Sequence, residues 1–377
     1  MPESTRRQFI EMAGTAAAVT ILAPTALARA QVAPPAAPVD SPAPVGPGAP
    51  YSSYQSEIYV AGMSADVKPI FTTNLADLEE AAAKVLPEDA RRHLLSWAGG
   101  PAAVRANARA LHAWRIVPRM FIDRAERDHT ATVLGVEMPA PVILGPIGKQ
   151  GLAHSDGEEA TARAAADLGL TYVHSSRSSK SLEEVAAAAP KGSRWFGLDW
   201  RDADGPDATL LTRARLAGCT HLVLTLRPGK GWAALASIRE AWDGPIVLGG
   251  IQTAPDARTA VRRGFDGIVV SNEHGRRGPK PVGTIDALPR IADAVGGKVP
   301  VLFGSGVRTA TDVYRALALG ADAVLIGRPY VHGLALGGEA GVRHMLRTLL
   351  AELDITLAIA GAVPSQRELG RSALVRT

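Results

Sequence analysis

Residues 299–329 read VPVLFGSGVRTATDVYRALALGADAVLIGRP, and this stretch decides the fold. An apolar run, Val299–Phe303, meets Gly304-Ser305-Gly306. A helical segment, Thr311–Leu319, follows, and a second apolar run, Ala323–Gly327, closes the stretch. Strands buried on both faces of a parallel sheet read as continuous apolar runs, not alternating ones. The stretch is therefore a strand, a crossover helix and a second, parallel strand.

The same unit recurs upstream. Further apolar runs are Pro141–Gly145, Tyr172–Ser175, Trp195–Leu198, His221–Leu226, Pro245–Gly249 and Gly267–Ser271. Helical segments such as Gly157–Leu168, Ala208–Ala217 and Ala254–Arg263 lie between them. Eight βα units over about 200 residues predict an α/β fold, a closed (β/α)8 TIM barrel spanning residues 139–377. A doubly wound open sheet is the alternative, but no G-x-G-x-x-G opens the first unit. Residues 51–138 read as an α-rich N-terminal extension of the barrel domain, and Gly341–Ala360 as its closing helix.

Composition narrows the function. The chain has 377 residues, with 41 Lys+Arg against 37 Asp+Glu and a net charge of +4, which is no nucleic-acid footprint. Charged residues at 21% and hydrophobic ones at 46% describe an ordinary packed core. One cysteine excludes a disulfide framework and a thiolate metal cage. Aromatics at 5% leave the core to Ala, Val, Leu and Ile.

The first fifty residues stand apart. Ser4-Thr5-Arg6-Arg7-Gln8-Phe9-Ile10 precedes a weakly apolar stretch, Met12–Leu27, and then Ala28-Arg29-Ala30. That order is an n-region, an h-region and an A-x-A cleavage site, and the paired arginines mark residues 1–30 as a twin-arginine signal peptide. The alternative, an anchor helix, is weakened by Pro24 and by the ~20 strongly apolar residues that a span requires. Twin-arginine export carries folded proteins, often with a cofactor inside, so a periplasmic or extracellular location is expected, with no stable membrane span after the signal is removed. Residues 31–50 are mostly Pro, Ala, Val and Gly and read as a linker.

In such barrels the loops after the last two strands commonly hold a phosphate. Here they are Gly304-Ser305-Gly306-Val307-Arg308 and Gly327-Arg328-Pro329. Glycines let backbone N–H groups approach phosphate oxygens, and the arginines offer fork-shaped charge-assisted hydrogen bonds. Tight turns with surface arginines are the alternative at either segment alone. Their occurrence at successive strand ends favours phosphate.

These residues resemble the FMN-dependent 2-hydroxy-acid oxidase and dehydrogenase family. The resemblance runs from about Leu75 to Gly361. It is most specific at Gly250-Ile251, Asp256-Ala257, Gly267-Ile268-Val269-Val270-Ser271-Asn272, Gly275-Arg276, Thr311–Ala321 and Gly327-Arg328-Pro329. Gly151-Leu152-Ala153-His154, Gly157-Glu158, Ser178-Ser179 and Ser181–Glu184 add to it. The resemblance implies FMN, or a close flavin analogue, as cofactor. It implies phosphate binding by Gly306, Arg308, Gly327 and Arg328, and flavin-ring contacts from Gly145, Pro146, Ile147, Ser175 and Thr225. Family members often form tetramers, so a homo-oligomer is expected by analogy alone.

The reacting end departs from the family pattern. The motif Ser-Asn-His-Gly-Gly-Arg, whose His is the general base, reads Ser271-Asn272-Glu273-His274-Gly275-Arg276. The family's strand-5 Lys is Gly249, its strand-3 Gln-x-Tyr is Gly197-x-Asp199, and the Asp that orients the base is Arg227. Its Asp-Gly-Gly after strand 7 is Gly304-Ser305-Gly306, and its N-terminal substrate Tyr has no counterpart near Leu95–Gly100. Only the substrate-carboxylate arginine survives clearly, as Arg276. Loss of a catalytic base typically costs several powers of ten in rate. Simple lactate or glycolate oxidation is therefore not expected.

Two functions stay open on the sequence. The first is altered FMN redox chemistry, with Glu273 as a carboxylate base beside His274 and an anionic substrate held by Arg227 and Arg276; Glu273 paired structurally with either arginine is the alternative. The second is a non-catalytic protein holding FMN, a related flavin or another anionic phosphorylated ligand. Lys149, Arg177, Arg227, Lys230, Arg276 and Arg277 fall on strand-end loops and predict a basic mouth able to attract an anion larger than lactate, six scattered solvated charges being the alternative. His112, His154, His174, His221, His332 and His344 show no metal-site spacing. His174 either faces the mouth or packs, and packing is expected of His221 and of Cys219. Trp195, Trp200 and Trp232 are expected to pack helices onto the barrel.

Overall fold

A computed structural model describes residues 51, 53–55, 71–94, 100–119, 128–200, 207–226, 232–272, 282–360 and 369–377. The signal and linker segments, 1–50, lie outside the described residues. Among the described residues, helices α1 (Leu75–Val85), α2 (Glu88–Leu94) and α3 (Pro101–Ala113) precede the barrel. Asn74 caps α1 by accepting from the Ala76 N–H at 3.1 Å. Strand β1 (Trp114–Ile116) pairs antiparallel with the chain's last strand, Leu374–Arg376. The hairpin β2 (Ala131–Val133) and β3 (Val136–Met138) turns through Leu134 and Gly135, both at positive φ (52° and 80°), as a two-residue hairpin loop demands.

Eight parallel strands follow. They are β4 (Val142–Leu144), β5 (Thr171–Ser175), β6 (Arg194–Trp200), β7 (Cys219–Leu226), β8 (Ile246–Ile251), β9 (Gly267–Val270), β10 (Val301–Phe303) and β11 (Ala323–Ile326). They close in the order β10-β11-β4-β5-β6-β7-β8-β9. The pairing of β11 with β4 excludes the open-sheet alternative, and every apolar run named above contributes one strand. Between them run α4 (Gly157–Asp167), α5 (Leu182–Ala188), α6 (Ala208–Leu216), α7 (Ala236–Ala241), α8 (Ala254–Arg262), α9 (Thr284–Val295) and α10 (Ala310–Ala318). Local caps start several of them: Ser181 and Glu184 form a capping box on α5, and Thr253 accepts from the Asp256 N–H on α8. The closing helix, α11 (Arg328–Ala360), is broken at Gly337 and Gly338, so the expected Gly341–Ala360 helix is its second half. Strand β12 (Leu374–Arg376) ends the chain.

Side chains alternate across each strand. Outward residues such as Leu144, Tyr172, Phe196 and Leu248 join the larger core beneath the helices. Inward residues Ile143, Val173, Trp195, Val223, Val247, Val269, Leu302 and Leu325 form a second, separate cluster with Ala131, Val133 and Met138 of the β2–β3 hairpin. Trp195 thus corrects the expectation that it packs a helix onto the barrel: it lies inside, stacked 4.5 Å from His221. A continuous apolar run carries no face information, which is why its side was misjudged. His221 Nε2 reaches the Leu134 carbonyl at 3.1 Å, so this histidine packs against the hairpin. His174 packs too, stacked on Phe196, and burial pulls its pKa down to about 4. Cys219 is buried, and burial pushes its thiol up to about 12.

Candidate cofactor site and active centre

Each barrel strand carries a large inward residue followed two positions later by a small one. The pairs are Ile143/Gly145, Val173/Ser175, Trp195/Gly197, Val223/Thr225, Val247/Gly249, Val269/Ser271, Leu302/Gly304 and Leu325/Gly327. The large residues form a closed floor. Above it the small residues leave space at the C-terminal ends of the strands, where barrel enzymes place their chemistry. Gly145, Ser175, Gly197, Thr225, Gly304 and Gly327 line a cavity of about 1130 Å³, counting its open mouth. Gly197 is needed here, since a Cβ would stand 2.6 Å from Cβ of Pro146.

All nine residues expected to contact the cofactor line this one cavity: Gly145, Pro146, Ile147, Ser175, Thr225, Gly306, Arg308, Gly327 and Arg328. The expected catalytic residues Glu273, His274 and Arg276 lie outside the described residues, as do Arg227, Lys230 and Arg277. Of the expected basic mouth, Arg177 lines the cavity, and Lys149 donates its backbone N–H to the Arg177 carbonyl at 3.0 Å.

The two arginine-bearing loops are held from behind. Ser305 has φ 80° and Gly306 φ 101°, a left-handed pair at the start of the β10 loop. A Cβ on Gly306 would meet Cβ of Asn107 at 2.8 Å. Asn107, buried on α3, exchanges two side-chain hydrogen bonds with Asn272 (2.9 and 3.1 Å) and accepts from the Thr284 N–H at 3.1 Å. The Asn272 N–H donates to Ser305 Oγ at 3.2 Å. The end of β9 and the β10 loop are thus tied to the N-terminal extension. At the barrel's seam, Tyr330 donates its hydroxyl to the Gly145 carbonyl at 2.7 Å.

Arg308 donates from Nε to Glu79 Oε2 at 3.0 Å, and its backbone N–H donates to Asp312. Burial alone would raise the Glu79 carboxyl, but Arg308, His332 and Arg328 outweigh it and hold the pKa below the usual carboxylate range. His332 is buried, and burial with the arginines beside it pulls its pKa down to about 4, against the pull of Glu79. It is neutral at neutral pH, so the positive charge of this corner rests on Arg308 and Arg328.

Two further ionisable residues line the cavity: Asp199, which the sequence marks only as a departure from the family's tyrosine, and His93, which it does not mark at all. Asp199, at the end of β6, lines it with its side chain 6% exposed and stands 3.7 Å from Nη1 of Arg177. His93, from α2, lines it as well; burial, then Lys149 and Arg177, lower its pKa. The large-x-small strand ending is the signal that locates Gly197, and Asp199 by register two residues beyond it. Nothing in the polar helix α2 singled out His93. Among the described residues, no group of three or more His, Cys, Asp or Glu side chains could hold a metal ion. No described helix is long and apolar enough to cross a membrane.

Comparison with known proteins places this geometry. The model of a family described as FMN-dependent dehydrogenase matches residues 82–227 and 226–376. FMN-dependent alpha-hydroxy acid dehydrogenase qulF of Penicillium citrinum is 37% identical over 372 residues, covering 82% of this chain and 92% of that protein. L-lactate oxidase of Lysinibacillus sphaericus (strain C3-41) is 33% identical over 77% of this chain and 90% of its own length. A crystal structure of mandelate oxidase with (S)-4-hydroxymandelic acid superposes with a TM-score of 0.73 and 33% identity, covering 79% of this chain and 99% of that one.

Proposed function

The chain belongs to the FMN-dependent dehydrogenase family, and from that premise we propose that it is an exported oxidoreductase of the hydroxy-acid type whose reacting end is altered, so that it does not turn over lactate or glycolate. FMN is the cofactor of this family, and the residues present fit it. The floor of eight large side chains under a ring of small ones leaves a site open for a flat ring. Gly306, Arg308, Gly327 and Arg328 would hold the phosphate, and Gly145, Pro146, Ile147, Ser175 and Thr225 would line the ring. When bound, FMN supplies a two-electron acceptor.

The observation that carries the altered-chemistry reading is one cavity with two unlike ends. Arg308 and Arg328 line the cavity, as does Asp199 where the family resemblance implies a tyrosine, and β8 carries Gly249 where it implies a lysine. Glycine at 249 supplies no positive charge. Asp199 puts a carboxylate in place of the tyrosine, with Arg177 Nη1 3.7 Å from it. Glu273 and His274 remain the proposed proton-handling pair, and Arg276, with Arg227, the proposed anion ligand. The paired Arg6-Arg7 and the Ala28-Arg29-Ala30 site support export by the twin-arginine route.

The test is the colour of the purified protein. A flavin-yellow protein, bleached anaerobically by some hydroxy acid other than lactate or glycolate, is the expected result. Flavin retained against every hydroxy acid tried would favour the non-catalytic binding protein, and colourless protein that rejects added FMN would remove the reading. Export is tested separately, by comparing the location of the wild type with that of Arg6→Lys/Arg7→Lys.

A further inference from the structure

In the eight-membered ring of strands, β6 is four steps from β10 in either direction, directly across the barrel from the loop that carries Arg308. Asp199 sits on β6 at the inward register, two residues beyond Gly197 and so one layer above the small-residue ring. Its place is fixed. The Asp199 N–H donates to Ser176 Oγ at 3.1 Å. Neighbouring Arg177 is held by its own N–H to Ser175 Oγ (3.2 Å) and by its carbonyl to Lys149.

Among the described residues lining the cavity, Asp199 is the one carboxylate; the other ionisable side chains are His93, Arg177, Arg308 and Arg328. Burial, then the nearby cations Lys149 and Arg177, lower the pKa of His93 and disfavour its charged form. Asp199 Oδ2 lies 3.7 Å from Nη1 of Arg177, and towards a ligand a carboxylate paired in this way still only accepts hydrogen bonds. A second anionic group brought against it is repelled, whereas a hydroxyl or ammonium is held. The arginines still favour a ligand that is anionic overall.

We propose that Asp199 is a specificity-determining residue that accepts a hydrogen bond from a hydroxyl or ammonium on the side chain of a monoanionic substrate. The inference rests on the oxidoreductase reading above and names its substrate class. A site built to hydrogen-bond a substrate hydroxyl rejects the analogue lacking it far more strongly than an apolar pocket rejects a missing methylene.

The test uses the full chain loaded with FMN and two ligand pairs that differ by one hydroxyl: L-lactate against L-glycerate, and (S)-mandelate against (S)-4-hydroxymandelate. Affinity is read from the change in the flavin spectrum on binding, and turnover from anaerobic bleaching. In at least one pair the wild type should bind the hydroxyl-bearing member roughly tenfold tighter or more. Asp199→Leu should bring that preference below about threefold while flavin content is unchanged. Asp199→Asn keeps the size, guards against a folding defect, and should fall between the two. No preference in the wild type, preference retained in both variants, or no response of the flavin to any of the four ligands overturns the assignment. The predicted preference without bleaching would leave the assignment standing and overturn the oxidoreductase reading. Wild-type protein that takes up no FMN overturns both.

Discussion

The guanidinium of Arg308 donates from Nε to Oε2 of Glu79 at 3.0 Å, so the cation at the end of β10 is oriented by a carboxylate on α1, 229 residues earlier in the chain. Nη1 of Arg308 donates to the Val307 carbonyl at 3.1 Å, and the residue lines the cavity. Arg308→Ala is expected to weaken FMN binding by roughly 10- to 100-fold, the range for about 1.5–3 kcal/mol of a charged hydrogen bond. Glu79→Gln should weaken it by a few-fold, through loss of orientation. Flavin fluorescence titration of each variant checks both.

The same pair has a pH signature. The folded-state pKa of Glu79 is depressed, so its contribution is fully present above the ordinary carboxyl value of about 4.3 and is lost as pH falls through the lower folded value. FMN retention in the wild type should therefore fall off more steeply in acid than in Glu79→Gln. Dialysis at a series of pH values measures it.

Asn107 serves the β9 end and α9 at once. Asn107→Ala leaves the Asn272 side chain and the Thr284 N–H without a partner in a buried place, at about 1–3 kcal/mol per group. A loss of roughly 2–4 kcal/mol in urea unfolding is expected, together with weakened flavin binding.

His174 and His332 give the fold an acid limit. Both are held near pKa 4, chiefly by burial, against an ordinary value of about 6.5. The unfolded chain therefore takes up protons that the folded chain refuses, and stability falls as pH drops from about 6.5 towards 4. His174 stacks on Phe196, and its Nδ1 makes no hydrogen bond. His174→Phe should flatten the decline by close to one proton's worth, read from unfolding midpoints across that pH range.

Gly249, on β8, stands where the family resemblance implies a lysine. A Cβ there meets nothing nearer than 3.4 Å, to the Leu224 carbonyl and Thr225 Oγ1, so a longer side chain is sterically admissible. Gly249→Lys should keep the fold and raise the midpoint potential of the bound flavin by roughly 20–60 mV, equivalent to about 1–3 kcal/mol for a two-electron couple. A redox titration of both proteins decides it.

The barrel was legible because each buried strand announces itself as an apolar run, and Val299–Pro329 already contains a whole unit. That Gly306, Arg308, Gly327 and Arg328 come to one cavity was legible for a similar reason: they follow directly on two of those runs. Three things were hidden. Trp195 faces inward, but an unbroken apolar run does not say which face a residue takes. Asn107 looks like one more polar residue on an Ala- and Arg-rich helix, and its value appears only where the chain brings it to Asn272. His93 and Asp199 lie 106 positions apart and meet only as walls of one cavity, a juxtaposition that no local spacing encodes.

The most direct test of the account is the flavin absorption spectrum of the purified protein before and after anaerobic addition of L-lactate. The account predicts a flavin band that persists unbleached, because in the proposed reading Arg308 and Arg328 hold the cofactor while Gly249 and Asp199 stand where the family resemblance implies a lysine and a tyrosine. Prompt and complete bleaching by L-lactate would contradict it.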